Sequence, residues 1–259
     1  MPARVNPPVG APVWNDLGTN DIEASKAFYR DLFGWEYLDY GEEFGHYGAF
    51  LLDGKVVAGV GPNPSPELPS WWSVYLRSED APATVEKALA AGGELAVPTM
   101  EIPGQGVMAF VTDPSGAAVG IWEPRGHDGF AVVAENGAPA WHELLSKDYR
   151  AAVPFYEDVF GWSVTVQGDT DEFRYCIDEV DGEQYAGVMD ASGFLPAEVP
   201  SHWSVYILVE DTDAAAARAV ELGGTIAMAP EDSPYGRMAV LLDSQGAQLK
   251  IIDTPDSAA

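Results

Sequence analysis

The 259-residue sequence predicts an α+β fold made twice over. Each half is two βαβββ units whose strands form a curled, cup-like mixed sheet with helices on its outside. Three observations lead there. The chain repeats itself: Trp14, Tyr29 and Trp35 recur as Trp141, Tyr156 and Trp162, each 127 residues on. Trp72-Ser-Val-Tyr75 returns as Trp203-Ser-Val-Tyr206, and the turn Asp113-Pro-Ser-Gly116 as Asp243-Ser-Gln-Gly246. So long a period marks a domain duplication, because solenoid units run only about 20–50 residues. Within each half the order strand, helix, three strands then occurs twice.

In the first half, Val13–Leu17 reads as a strand. Asn20 or Asp21 can cap the helix that follows, its side-chain oxygen accepting an orphan N–H. Ala24, Phe28 and Leu32 are spaced for one helical face, and Gly34 supplies the stop. Strands follow over 35–40, 46–52 and 55–61, the last two joined at Asp53-Gly54, a dipeptide suited to a turn with positive φ. The loop Pro62–Ser70 holds four prolines. The second unit begins with a strand over 72–78. Asp80 caps a helix in which Val85 and Leu89 share a face, and Gly92-Gly93 ends it. Strands over 94–98, 107–112 and 117–122 complete the half.

The second half repeats the pattern. Its first helix contains Pro154, which costs about 3 kcal/mol in a helix interior. A start near Arg150 or Ala151 places it in the first turn, where N–H groups are unpaired anyway. Asp181-Gly182 matches the first hairpin, and the alanine-rich helix Thr212–Leu222 ends at Gly223-Gly224. The expected division is 1–123, a linker over 124–138, and 139–259.

Composition narrows the functions. The chain has 41 acidic and 13 basic residues, a net charge of −28. Such a surface repels polyanions, so neither nucleic acid nor an anionic membrane is an expected partner. The single cysteine, Cys176, lies in a strand-like run and reads as a core residue. The N-terminal stretch has no apolar core of a signal peptide, and no run is long enough to span a bilayer. A soluble, cytoplasmic protein is expected. No glycine-rich loop opens a helix, and no nucleophile elbow is present.

The strand followed by Phe28-Tyr29, then Leu32-Phe33-Gly34-Trp35, with Asp113-Pro-Ser-Gly116 late in the half, resembles the vicinal oxygen chelate superfamily. This is the group of glyoxalases, bleomycin-resistance proteins and extradiol dioxygenases. The resemblance covers nearly the whole chain, twice. It implies tandem glyoxalase-like domains with a ligand cup in each. It also implies where a metal would be held: seven residues before the cap of each helix, and seven after the turn aspartate. Those positions carry Trp14, Ser73 and Gly120 in the first half, and Trp141, Ser204 and Lys250 in the second. Divalent ions require carboxylate, imidazole or thiolate lone pairs, so no metal or other cofactor is expected at these positions.

Strand alternation puts Asp16 on the face of Trp14, and Glu143 on that of Trp141. Asp16 and Glu143 are the candidate catalytic groups. In the bland alternative, a tryptophan plugs each cup and the carboxylate is held locally. His142 should face away from Glu143. Lys250, with Arg237 on a neighbouring strand, would make the second cup the one suited to an anion; the first is more apolar. The expected ligand-binding set is therefore Trp14, Asp16, Ser73, Trp141, Glu143, Ser204, Arg237 and Lys250. The leading expectation is a protein that binds a small organic molecule in one or both cups, either as a metal-independent enzyme or as a binding protein. A metal-dependent lyase or dioxygenase would need displaced ligands such as Asp16, His142 or Glu143. A third reading is an interaction module with filled cups. Tandem duplication can supply within one chain the partner that single-domain relatives recruit, so a monomer or weak homodimer is expected.

Overall fold

The structure, a computed structural model, describes residues 7–254. The N-terminal stretch read for a signal and the extreme C-terminus lie outside these. The first half runs β1 (Pro12–Thr19), α1 (Ile22–Phe33), β2 (Glu36–Asp39), β3 (Gly48–Leu52), β4 (Lys55–Pro62), β5 (Trp71–Arg77), α2 (Ala81–Ala90), β6 (Glu94–Ile102), β7 (Gly106–Thr112) and β8 (Ala118–Pro124). The second runs β9 (Pro139–Ser146), α3 (Tyr149–Phe160), β10 (Val164–Asp169), β11 (Arg174–Val180), β12 (Glu183–Asp190), β13 (His202–Leu208), α4 (Thr212–Glu221), β14 (Thr225–Ser233), β15 (Gly236–Leu242) and β16 (Gln248–Ile252).

Each half makes one eight-stranded sheet. The orders are β2-β3-β4-β1-β5-β8-β7-β6 and, matching it, β10-β11-β12-β9-β13-β16-β15-β14. The sheets are mixed: β1 runs parallel to β4 and β5 parallel to β8, while β1 and β5 meet antiparallel at the centre. A parallel pair needs a crossover, which the helix of each βαβββ unit helps to provide.

The four α-helices of the described residues begin the same way. Asp21, Asp80, Asp148 and Asp211 each accept the N–H three residues on, at 2.9–3.1 Å. Gly34 and Gly161 close α1 and α3 with φ of 75° and 72°. The hairpins at Asp53-Gly54 and Asp181-Gly182 have positive φ at both residues, which matches the right-handed twist of the flanking strands.

Three expectations shift. The buried stripe of α1 is Ser25, Phe28, Tyr29 and Phe33, so Ala24 and Leu32 sit at its flank. In α2 the buried residues are Ala81, Thr84 and Ala88, and Leu89 is exposed. Small residues let that helix lie close to the sheet. Pro154 stands inside α3, because Asp148 caps the helix earlier than expected. The bond it forfeits is to the carbonyl of Arg150. Both residues are exposed, so water can satisfy that group.

The halves share one core. The main buried cluster joins Tyr29, Trp35 and Phe50 to Phe155, Tyr156, Phe160 and Leu241. The contacts across the halves are reciprocal. Tyr29 donates to Asp243 at 2.8 Å, and Tyr156 to Asp113 at 3.0 Å. Trp35 donates to the Gly137 carbonyl and Trp162 to that of Gly10. The ring of Phe155 abuts Gly93, and that of Phe28 abuts Gly224. A side chain at either glycine would collide first with a backbone carbonyl of its own half, Thr112 or Leu242, and also with that ring of the opposite half, which explains the second glycine of each Gly-Gly pair. His142 and Asn15 occupy equivalent positions and meet each other at 3.0 Å, beside the axis that relates the halves.

Candidate functional site

Alternation along β1 turns Leu17 into the shared core and leaves Trp14 and Asp16 on the concave face of the sheet. The cross-strand register sets Ser73 opposite Asp16, and Tyr75 opposite both Trp14 and Gly120. This is the first cup, and its own side chains fill it. Asp16 accepts from Trp14 Nε1 at 2.8 Å, Tyr47 Oη at 2.6 Å and Tyr75 Oη at 2.7 Å. Burial raises the Asp16 pKa, against these hydrogen bonds, which act to lower it. Ser73 Oγ accepts from Trp71 Nε1 at 2.9 Å. The Tyr75 ring lies across Gly120, where a Cβ would clash with it.

A separate apolar cluster completes the plug: Val13, Trp14, Tyr75 and Trp122, with Met108 and Phe110 packed on them. The connecting segment after β8 closes over this cluster. Phe130 and Ala131 donate backbone bonds to Val13 and Val56, and His127 meets the Trp14 ring edge-on at 4.3 Å. Burial lowers the His127 pKa, in keeping with an uncharged ring against aromatic neighbours.

The second cup has the same frame and different chemistry. Trp141 and Glu143 project from β9, Ser204 and Tyr206 from β13, and Lys250 from β16, with Ser204 opposite Glu143 and Tyr206 opposite Trp141 and Lys250. Lys250 Nζ donates to Glu143 Oε2 and to Tyr206 Oη, both at 2.8 Å. Tyr206 donates to the same Glu143 oxygen at 2.8 Å. Glu143, Tyr206 and Lys250 are all buried. Trp141 Nε1 is held by Tyr175 Oη at 3.0 Å, and burial together with Glu143 pushes the Tyr175 pKa up. His202, the counterpart of Trp71, turns its Nδ1 to the Pro200 carbonyl and its Nε2 to Gln248 Nε2. An amide N–H donates, so that Nε2 accepts and the ring is neutral; burial lowers its pKa accordingly. With His202 turned away, Ser204 Oγ is buried with no hydrogen-bond partner.

The structure brings together most of the residues expected from sequence and separates one. Arg237 does not line the second cup. It shares the helix-side face of β15 with Ala239 and Leu241, and pairs with Asp213 of α4 and Asp232 of β14. Alternation is the reason: Met238 and Val240 take the concave face. His142 faces away from Glu143 toward Asn15, as alternation requires. Cys176 is fully buried, and burial raises its thiol pKa, so it is no nucleophile. Sequence reading missed Tyr47, Tyr75, Tyr175, Tyr206 and Gln248, and it read His202 as structural or solvated. Tyr75 and Tyr206 had a signal, since each lies two residues after the serine of a repeated motif. Tyr47 and Tyr175 reach the carboxylates only through strand pairing, which carries no local mark.

The positions where a metal would be held do not fit one. Trp14 and Gly120 offer no donor, Ser73 is already engaged, and the Lys250 ammonium stands where a ligand oxygen would be needed. Among the described residues no three histidine, cysteine or acidic side chains converge. Two open surface clefts, of about 360 and 230 Å³, lie outside both cups, one beside Lys26, Tyr37 and His46 and one beside Phe33, Gly137 and Val209. Among the described residues no helix is long and apolar enough to cross a membrane.

Known proteins resemble the chain over its whole extent. CFP32 of Mycobacterium bovis, which carries the provisional name glyoxylase, is 38% identical over 258 residues, covering 97% of this chain and 98% of its own. The anthracycline biosynthesis protein DnrV of Streptomyces peucetius is 37% identical, covering 94% and 93%. Among solved structures, an Mn(II)-bound glyoxalase from Novosphingobium aromaticivorans matches with a TM-score of 0.65 at 17% identity, over 95% of this chain and 82% of that one. The 2,3-dioxygenase LapB from Pseudomonas sp. KL28 matches at 0.66 and 12% identity, over 98% and 96%. The family model described as glyoxalase/bleomycin resistance protein/dioxygenase superfamily fits residues 12–121 and again 139–251. With both halves matched and the sheet order of each as described, the chain belongs to the glyoxalase/bleomycin resistance protein/dioxygenase superfamily.

Proposed function

We propose that the protein binds a small organic molecule in its second cup, without a metal at the positions the family uses for one, and that its first cup is structural. The observation that carries this is the difference between two equivalent serines. Ser73 is satisfied by Trp71. Ser204 is buried and unpartnered. A buried hydroxyl without a partner costs about 1–3 kcal/mol, a cost that a ligand oxygen in the cup would remove. Lys250 adds a cation beside it, at a position that is Gly120 in the first half. Relatives named for glyoxylase and anthracycline biosynthesis agree with a small organic ligand. Glu143, Tyr206 and Lys250 are equipped for proton transfer or electrostatic stabilisation rather than covalent attack, since the ammonium is hydrogen-bonded to a carboxylate. The proposed working unit is a single chain, because each half already packs against the other.

The test is a fragment screen by ligand-observed NMR on wild type, Ser204→Leu and Ser73→Leu. A leucine at either position replaces the hydroxyl with a bulkier apolar group without adding charge. Binding lost in Ser204→Leu and kept in Ser73→Leu is expected. The opposite pattern would move the site to the first cup and overturn the proposal.

A further inference from the structure

We propose that the first cup carries a redox function: Tyr47 gives one electron to an oxidant at the surface while its phenol proton passes to Asp16. This goes beyond ligand binding in the second cup and does not depend on it. The contact is built across glycines. Tyr47 stands just before β3, and its side chain crosses β4 at Gly59 and Gly61 to reach Asp16 on β1. A Cβ at Gly59 would occupy the place where the Tyr47 hydroxyl and the Asp16 carboxylate meet. Tyr47 Oη donates to Asp16 Oδ1 at 2.6 Å, the length of a charge-assisted O–H···O bond. The other partners of Asp16, Trp14 and Tyr75, are neutral donors. Burial raises the Asp16 pKa, so this carboxylate holds a transferred proton more firmly than an aspartate in water. The electron has a route out. The Tyr40 ring stacks on that of Tyr47, with centroids 6.1 Å apart, and is 40% exposed. Asp39, Glu42 and Glu43 beside it are exposed, and their charge draws in a cationic oxidant.

The tyrosine–carboxylate pairs of the second cup and of the core each lack one of these conditions. Tyr206 donates to Glu143, but the Lys250 ammonium bonds to its oxygen and lies 4.7 Å from its ring centroid. A cation so close opposes the loss of an electron. Tyr29 and Tyr156 donate to Asp243 and Asp113 inside the shared core, and the rings packed on them are all buried. Tyr75 shares Asp16 with Tyr47, but the ring beside it is Phe110, a poor electron relay. The step at Tyr47 balances. Its O–H bond breaks, the proton goes to Asp16 Oδ1, and the electron passes through Tyr40 to the oxidant. The products are a neutral phenoxyl radical, a protonated Asp16 and an oxidant reduced by one electron. Trp14 Nε1, which donates to Tyr47 Oη at 3.1 Å, steadies the phenoxyl oxygen. A one-electron reductant at the surface reverses the step, and the same proton returns to Tyr47.

The experiment is flash photolysis of the whole protein with tris(bipyridine)ruthenium(II) and a cobalt(III) ammine as electron acceptor. Light then makes a ruthenium(III) cation, a one-electron oxidant too bulky to enter the cup. Phenoxyl absorption and the electron paramagnetic resonance spectrum are read. Wild type is expected to give a long-lived neutral tyrosyl radical that forms more slowly in deuterium oxide than in water. Tyr47→Phe keeps the ring and should remove that radical. Asp16→Asn should slow its formation about tenfold, as for the loss of one hydrogen bond to a charged group. Asp16→Asn also changes the packing of the cup, so Tyr40→Phe, at an exposed position, is a second test; it should slow formation and leave the spectrum of the radical unchanged. Tyr235→Phe removes a tyrosine open to solvent and should leave rate, yield and lifetime as in wild type. A radical of unchanged yield and lifetime in Tyr47→Phe, or a tryptophanyl spectrum in wild type, would overturn the inference. So would equal rates in water and deuterium oxide, or an Asp16→Asn protein that forms the radical as fast as wild type.

Discussion

Asp16 and Glu143 occupy equivalent places and solve the same problem differently. A carboxylate turned into a cup loses its hydration and must be compensated. Glu143 is compensated by an ammonium, whereas Asp16 has only the neutral donors Trp14, Tyr47 and Tyr75. Burial therefore outweighs the hydrogen bonds at Asp16, and its pKa rises above 3.8. The sign of the consequence follows from linkage. In the window between 3.8 and the raised native value, the native state binds more protons than the unfolded chain, so stability falls as pH rises. Asp16→Asn removes that titration. The stability of wild type relative to Asp16→Asn is expected to be greatest at the acid end, to fall through this window and then to level off. Urea denaturation of both proteins from acid to neutral pH measures it. A difference independent of pH, or one that grows in favour of wild type as pH rises, would contradict the assignment.

At the scale of elements, the repeated Phe-Tyr of α1 and α3 and the repeated aspartate turn serve each other across the halves. Each tyrosine hydroxyl donates to the turn aspartate of the other half and accepts from a tryptophan of its own, Trp72 or Trp203. Each aspartate also accepts backbone N–H groups of its own turn. A helix, a strand and a distant turn are thus locked through a single oxygen. Tyr29→Phe leaves the ring in place and removes that oxygen, stranding Trp72 Nε1 and one bond of Asp243. A loss of about 1–3 kcal/mol is expected, and the same for Tyr156→Phe. Chemical denaturation gives the value; a change under about 0.5 kcal/mol, typical of surface substitutions, would refute the coupling.

The molecule as a whole is two sheets around one core rather than two domains on a string. The main cluster passes from one half to the other, and Phe28 and Phe155 are buried against glycines of the opposite half. Burying a phenylalanine side chain stabilises by about 1.5–3 kcal/mol, so neither half keeps its core without the other. Unfolding is expected to be a single cooperative transition, with equal calorimetric and van't Hoff enthalpies. Two resolved transitions, or folded fragments made by cutting the chain within 124–138, would show that the halves are independent.

Much of this was legible in the sequence by itself. The repeat, the four aspartate caps, the two Asp-Gly hairpins and the alternation of β1 and β9 are local properties of the backbone, and each carries its own residue signature. They determined the fold, the concave placement of Trp14, Asp16, Trp141 and Glu143, and the poverty of metal donors at the family's positions. Tertiary structure decided the rest. Whether Arg237 reached the cup depended on the register of β15, where one residue's difference exchanges the two faces. That Tyr47 and Tyr175 meet the cup carboxylates follows from pairing between strands remote in sequence. The contrast between Ser73 and Ser204 is not visible in the repeated Ser-Val-Tyr motif, since it depends on whether the residue two before points its donor inward or away. Hydrogen-bond satisfaction is a property of the assembled site, and it is what makes two nearly identical halves chemically unequal.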